Sequence, residues 1–136
     1  MANGSCLCGQ VTYKIDGKIS DIVHCHCYKC RKAHSAAFSS VASVKQEHFQ
    51  LAGAQHLRSF ESSAGKHRYF CTTCGSQIYS QRDNHPNVVV RLGCLDSGTD
   101  SQEFAHTWIS QKAGWYCLDT ALPQFEEGYK PPSKTS

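Results

Sequence analysis

With 136 residues, 40% of them hydrophobic and 18% charged, the chain has the makeup of one globular domain, long enough to bury a core without disulfides. Fourteen basic residues against eleven acidic ones leave a net charge of +3, too small to argue for nucleic acid or a membrane surface. No run of about 18 apolar residues suggests a spanning helix, and Met1–Ser5 lacks the basic-then-apolar pattern of a signal peptide.

In chain order, the first feature is Gly4-Ser5-Cys6-Leu7-Cys8-Gly9, a knuckle whose glycines permit a tight fold around an ion. Val11, Tyr13 and Ile15 then alternate with polar residues as a half-buried strand, closed by the turn signal Asp16-Gly17. Ile22 and Val23 lead into His24-Cys25-His26-Cys27-Tyr28-Lys29-Cys30-Arg31-Lys32, followed by a short helical turn or tight loop over Ala33–Ala37. Phe38–Val44 reads as a strand and Lys45–His48 as one helical turn. Leu57–Glu61 and Lys66–Cys71 form a hairpin about Ser62–Gly65. A second knuckle, Cys71-Thr72-Thr73-Cys74-Gly75, precedes a short strand over Ile78–Gln81. Val88–Leu92 is the strongest strand signal, and Phe104–Ile109 alternates again, with His106 and Trp108 on one face. Short strands at roughly ten-residue spacing, with no sustained helical period, predict an all-β domain over residues 1–125 and a frayed tail over 126–136.

Seven of the nine cysteines fall in three tight groups, with the short spacing of metal ligands rather than of disulfides. Cys6, Cys8, Cys71 and Cys74 form two knuckles that together complete a closed four-thiolate zinc site of the structural kind. Cys25, Cys27 and Cys30 then supply three thiolates from one segment and leave a fourth position open, the arrangement of a catalytic zinc. Such a centre suits the binding of a small thiol, which loses its proton on coordination. His26, Arg31 and Lys32 stand ready to pair with that ligand's carboxylates. Two other readings stay open. One of His24, His26 or His34 completes a second structural site, or one zinc is shared among the groups with reactive thiols left over. Reduced thiols in this number point to the cytoplasm. Cys94 and Cys117 read as small core residues, His106 as a packed histidine, Trp108 and Trp115 as core anchors or the walls of a pocket, and Lys112 as a surface charge.

The ordered set Gly4-Ser5-Cys6-x-Cys8-Gly9-x-Val11-x-Tyr13, Cys25-His26-Cys27-x-x-Cys30-Arg31-Lys32, Phe70-Cys71-x-x-Cys74-Gly75, His106-x-Trp108, Lys112, Trp115 and Pro123 resembles the glutathione-dependent formaldehyde-activating enzymes, a family that includes centromere protein V. The resemblance implies an Mss4-like β-tent fold, a structural zinc on Cys6, Cys8, Cys71 and Cys74, and a second, open zinc site on Cys25, Cys27 and Cys30. It implies carbon–sulfur lyase chemistry on glutathione and formaldehyde, with S-hydroxymethylglutathione as the adduct. Ser35 departs from the pattern where glycine is expected, and His34 beside it is unusual; both bear on the pocket over the second metal. The competing expectation is a zinc-stabilised module that binds protein or nucleic acid without catalysis. No run of Lys or Arg longer than two supports the nucleic-acid version.

Overall fold

The computed structural model describes residues 1–129. Eleven strands build two sheets. The smaller has the order β10-β1-β2-β5, from Leu95–Ser97, Ala2–Ser5, Thr12–Ile15 and Phe49–Ala52. The larger runs β11-β3-β4-β9-β8-β7-β6, from Glu103–Thr107, Ile22–Cys25, Ser39–Lys45, Asn87–Arg91, Gln77–Arg82, Lys66–Cys71 and Leu57–Ser63. All pairings are antiparallel except that of β11 with β3.

Alternation decides what faces inward. Tyr13 and Ile15 from the small sheet meet Val44, Ile78, Val88 and Val90 from the large one, and all six are essentially closed to solvent. Tyr13 packs on Phe49 at 5.1 Å between ring centroids, and Phe49 on Tyr79 at the same distance, which carries the core along the sheets.

The hairpin β6–β7, the strand β4 and the helical turn at Gln46–His48 lie where the sequence places them. Among the elements that do not are β1 and α1, besides β5 and β10, which the sequence pattern does not mark as strands. Ala2–Ser5, with no strand propensity of its own, is a strand because β2 and β10 pair with it on either side. The helical segment is α1, Tyr28–His34, five residues earlier than the turn expected at Ala33–Ala37, and it contains Cys30, Arg31 and Lys32.

Near the C-terminus the sequence reading needs four corrections. β11 ends at Thr107, and Trp108 adopts a left-handed conformation (φ 57°), so it does not share a strand face with His106. Trp115 is 74% exposed and anchors no core. Cys117 is exposed as well. Lys112 is bound rather than solvated: its Nζ donates to the carbonyls of Ala113 and Tyr116, at 3.0 and 2.6 Å. Of the tail expected over 126–136, Glu126 and Glu127 accept backbone hydrogen bonds from Ser110 and Trp108. Residues 130–136 lie outside the described residues. Among the described residues no helix is long and apolar enough to cross a membrane.

Candidate metal centres

The two knuckles share one construction. The first joins β1 to β2 and the second joins β7 to β8. In each, a glycine at positive φ (Gly9 at 81°, Gly75 at 77°) turns the chain, and its N–H donates back to the carbonyl of Cys6 or Cys71. The turns face each other. Leu7 N–H donates to Ser76 Oγ at 3.0 Å and Thr73 Oγ1 to Gln10 Oε1 at 2.9 Å, two hydrogen bonds that tie one knuckle to the other.

The Sγ atoms of Cys6, Cys8, Cys71 and Cys74 all lie within 4.8 Å of one another, with Cys6–Cys8 at 3.5 Å and Cys8–Cys71 at 3.7 Å. A tetrahedral ion with four thiolates at about 2.3 Å requires sulfurs roughly 4 Å apart, and this donor set fits it. Hydrogen bonding to Ser76 draws the Cys74 thiol down to about 5, toward the thiolate. Although the Gln10 N–H favours its thiolate, desolvation and the three neighbouring thiols push Cys8 up to about 12. Four thiols this close resist ionising together until a cation joins them.

The second group is local. β3 ends at Cys25, and the His26 N–H is anchored on the Thr107 carbonyl at 2.9 Å. Cys27 caps α1, its Sγ accepting from the Cys30 N–H at 3.4 Å. One strand end, one cap and one helical turn thus bring Cys25, Cys27 and Cys30 within 4.8 Å of one another. Among the described residues no imidazole or carboxylate joins the trio. His26 Nε2 is instead 2.7 Å from His106 Nδ1, and His24 is held by Ser40 and Glu103, both at 2.8 Å. His24, His26 and His106 close around Phe38 in an aromatic cluster, with His26 fully enclosed.

Beneath the trio lie two buried guanidinium groups that the sequence reading did not single out. Arg68 Nε donates to Ser62 Oγ at 2.9 Å and its NH2 approaches Cys30 Sγ at 3.6 Å. Arg91 is fixed by Ser39 and Ser80 and reaches the same sulfur at 3.9 Å. Hydrogen bonds from Cys25 and Cys27, with these two charges behind them, hold the Cys30 thiol far below its usual range. Hydrogen bonding to Cys27 and Cys30, with desolvation, pushes the Cys25 thiol up. Period two places Lys66 and Arg68 on one face of β7, but nothing in the sequence says that this face is buried or that Arg91 joins it.

Two clefts border the Tyr28 end of α1. The larger of these two, about 490 Å³, is walled by Tyr28, Phe60 and Phe70 and also lined by Lys32. The smaller, about 170 Å³, is lined by Cys27 together with Lys66, Arg68 and Arg82. The expected ligand-binding trio is dispersed: Lys32 reaches the larger cleft, Arg31 turns a buried, unpartnered Nε inward, and His26 is enclosed. Cys94 packs half-buried against the core, its thiol donating to the Gln77 carbonyl at 3.4 Å. Ser35 sits at the C-cap of α1, and His34 lines a separate cavity of about 560 Å³ beside Arg91.

The family model for the glutathione-dependent formaldehyde-activating enzyme matches residues 1–111. Proteins of Aspergillus flavus and Aspergillus oryzae, each provisionally described as such an enzyme, are 30% identical over 93% of this chain and 63% of their own. A Fusarium vanettenii protein of the same description is 28% identical over 93% of this chain and 64% of its own. The chain therefore spans a little under two thirds of the length of these relatives. A crystal structure of a Rhodobacter sphaeroides protein, 23% identical, superposes with a TM-score of 0.59 over 72% of this chain and 91% of that one, a likeness of fold. The β-rich Mss4-like architecture, the two thiol groups and the match over residues 1–111 agree, and the chain belongs to the glutathione-dependent formaldehyde-activating enzyme family.

Proposed function

We propose that this protein is a zinc-dependent carbon–sulfur lyase that makes and breaks the bond between a small thiol, such as glutathione, and its aldehyde adduct. Cys6, Cys8, Cys71 and Cys74 would hold a structural zinc, and Cys25, Cys27 and Cys30 a second one at which the thiol binds. The observation that carries this reading is the trio itself: three convergent thiols with no fourth protein donor among the described residues. Nine free cysteines, with no disulfide, fit a reducing, cytoplasmic setting.

Zinc at the trio would supply a thiolate at neutral pH by lowering the pKa of the bound thiol. In the overall reaction the thiol sulfur bonds to the carbonyl carbon, the C=O π pair moves to oxygen, and the thiol proton ends on that oxygen; the lyase direction reverses each change. The chain's residues prepare the place for this. Arg68 and Arg91 offset the charge of the thiolates. Cys27, the trio member that lines the smaller cleft, brings the centre to solvent, where a thiol and an aldehyde can enter.

Cys27→Ser tests the reading. Serine is a good helix cap, so the variant should fold while losing about one zinc per chain. In the cobalt-substituted native protein, glutathione should shift the thiolate-to-cobalt bands, and in the variant it should not. Bands that ignore glutathione and every other small thiol would exclude the thiol-lyase reading and favour a zinc-stabilised binding module.

A further inference from the structure

His26 stands between two members of the thiol trio without joining it. Trp108 holds a left-handed backbone that a bulky residue adopts only where its surroundings enforce it. The two features belong to one arrangement. The His26 ring is fully enclosed, and its Nε2 shares a hydrogen bond with His106 Nδ1 at 2.7 Å. Its other nitrogen has no partner among the described residues, so His106 is the ring's one polar tether. The His26 N–H donates to the next carbonyl along, that of Thr107, at 2.9 Å.

Trp108 then turns the chain at φ 57° and ψ 41°, and the Gln111 N–H closes the turn on its carbonyl at 3.0 Å. The turn carries the Gln111 side chain back to α1, where Oε1 accepts the Tyr28 N–H at 2.9 Å. Cys27 is thus bracketed: His106 and Thr107 hold the residue before it, and Gln111 holds the residue after it. A helix of seven residues has little cooperative strength of its own, so an acceptor supplied from elsewhere in the chain helps fix its first turn. The far side of the segment is bound as well, with Trp108 N–H on the Glu127 carbonyl and Ser110 N–H on that of Glu126, both at 3.1 Å. Trp108 and Gln111 also line the smaller cleft beside Cys27.

We propose that His106 and Gln111 are positioning residues for the second metal centre, gripping the chain on either side of Cys27 so that its sulfur meets those of Cys25 and Cys30. The inference rests on reading that trio as a metal centre. The strained turn at Trp108 is what lets one segment reach both sides. Groups that orient metal ligands from outside typically change affinity about 10–100-fold when they are lost.

The test is metal affinity, read on the cobalt-substituted protein by competition with a chelator. The thiolate-to-cobalt bands that Cys27→Ser removes report the second centre alone, and the bands that remain report the four-thiol site. His106→Leu and Gln111→Leu should each weaken cobalt binding at the second centre about tenfold and leave the four-thiol site unchanged. His106→Asn, whose amide takes the place of Nδ1, and Gln111→Glu, which keeps the acceptor, should bind near the native affinity. Gln111 is only half-buried, so its pair of variants decides the matter if melting shows that His106→Leu does not fold. Native affinity in the leucine variants, or no recovery in the conservative ones, overturns the grip on Cys27 and leaves the thiol reading intact. Equal weakening at both centres makes these contacts general stabilisers and overturns it too. A native protein that takes up cobalt only at the four-thiol site overturns the trio as a metal centre, and this inference with it.

Discussion

His34 closes α1 with its Nε2 buried and unpartnered, beside the guanidinium of Arg91. Burial first, and then the charge of Arg91, pull its pKa from 6.5 down to about 4, against the opposing pull of Cys30. The native imidazole stays neutral where the unfolded one takes up a proton. Its contribution is therefore complete above about pH 6.5 and is lost as pH falls toward 4. Urea titrations across that window, with metal content followed in the same samples, should show a slope that His34→Asn flattens; identical slopes would mean that His34 is solvated. The sequence marked His34 as unusual but could not give it a neighbour, because Arg91 is 57 residues away in the chain and reaches it only through the sheet. The same limit explains Trp115 and Cys117. Their apolar character suggested a core, but the loop that carries them leaves the sheets before either can be covered.

At the scale of elements, α1 has only seven residues and carries no apolar stripe, so its ends decide whether it forms. Cys27 supplies the N-cap, and Ser35, at φ 50° and ψ 47°, supplies a left-handed C-cap whose N–H donates to the Arg31 carbonyl. This explains why the family pattern calls for glycine there: a side chain at that φ costs about 1 kcal/mol or more. Ser35→Gly should accordingly raise stability by about 1 kcal/mol without altering metal content, as read from paired denaturation and metal analyses. A loss of stability would show that the serine hydroxyl contributes more than the backbone strain costs. Tyr28–His34 was not legible as a helix because a capped two-turn helix leaves no period to read, whereas β4 and the hairpin β6–β7 were legible from alternation and a turn. β1 was hidden for the opposite reason, since its order comes entirely from its neighbours.

For the molecule as a whole, the four-thiol group lies where the two sheets meet. Cys6 and Cys8 belong to the β1–β2 connection of the small sheet, and Cys71 and Cys74 to the β7–β8 connection of the large one. An ion held by all four would clamp sheet to sheet and close a loop of more than 60 residues, which constrains the unfolded chain heavily. The three-thiol group constrains only one short segment. Cys71→Ser should thus abolish cooperative folding, seen as loss of a sharp thermal transition, whereas Cys27→Ser should not. Equal damage from both would erase the division of labour between the groups. The grouping of seven cysteines into a four and a three was legible in their spacing; Arg68 and Arg91 beneath the second group were not, because an arginine in a strand gives no sign of which face it serves.

Residues 123–127 run alongside β11. Pro123 and Phe125 exchange backbone hydrogen bonds with His106, Gln124 forms a parallel bridge to it, and Phe104, Phe125 and Tyr129 stack over the join. This stretch does for β11 what a twelfth strand would do. Remove it, and both thiol groups keep their protein donors, but a row of bare amides and carbonyls is left facing water. Such an edge recruits any strand it meets, most readily the same edge of another copy. The segment therefore guards the fold from a distance, by covering an edge on which one molecule could add itself to the next.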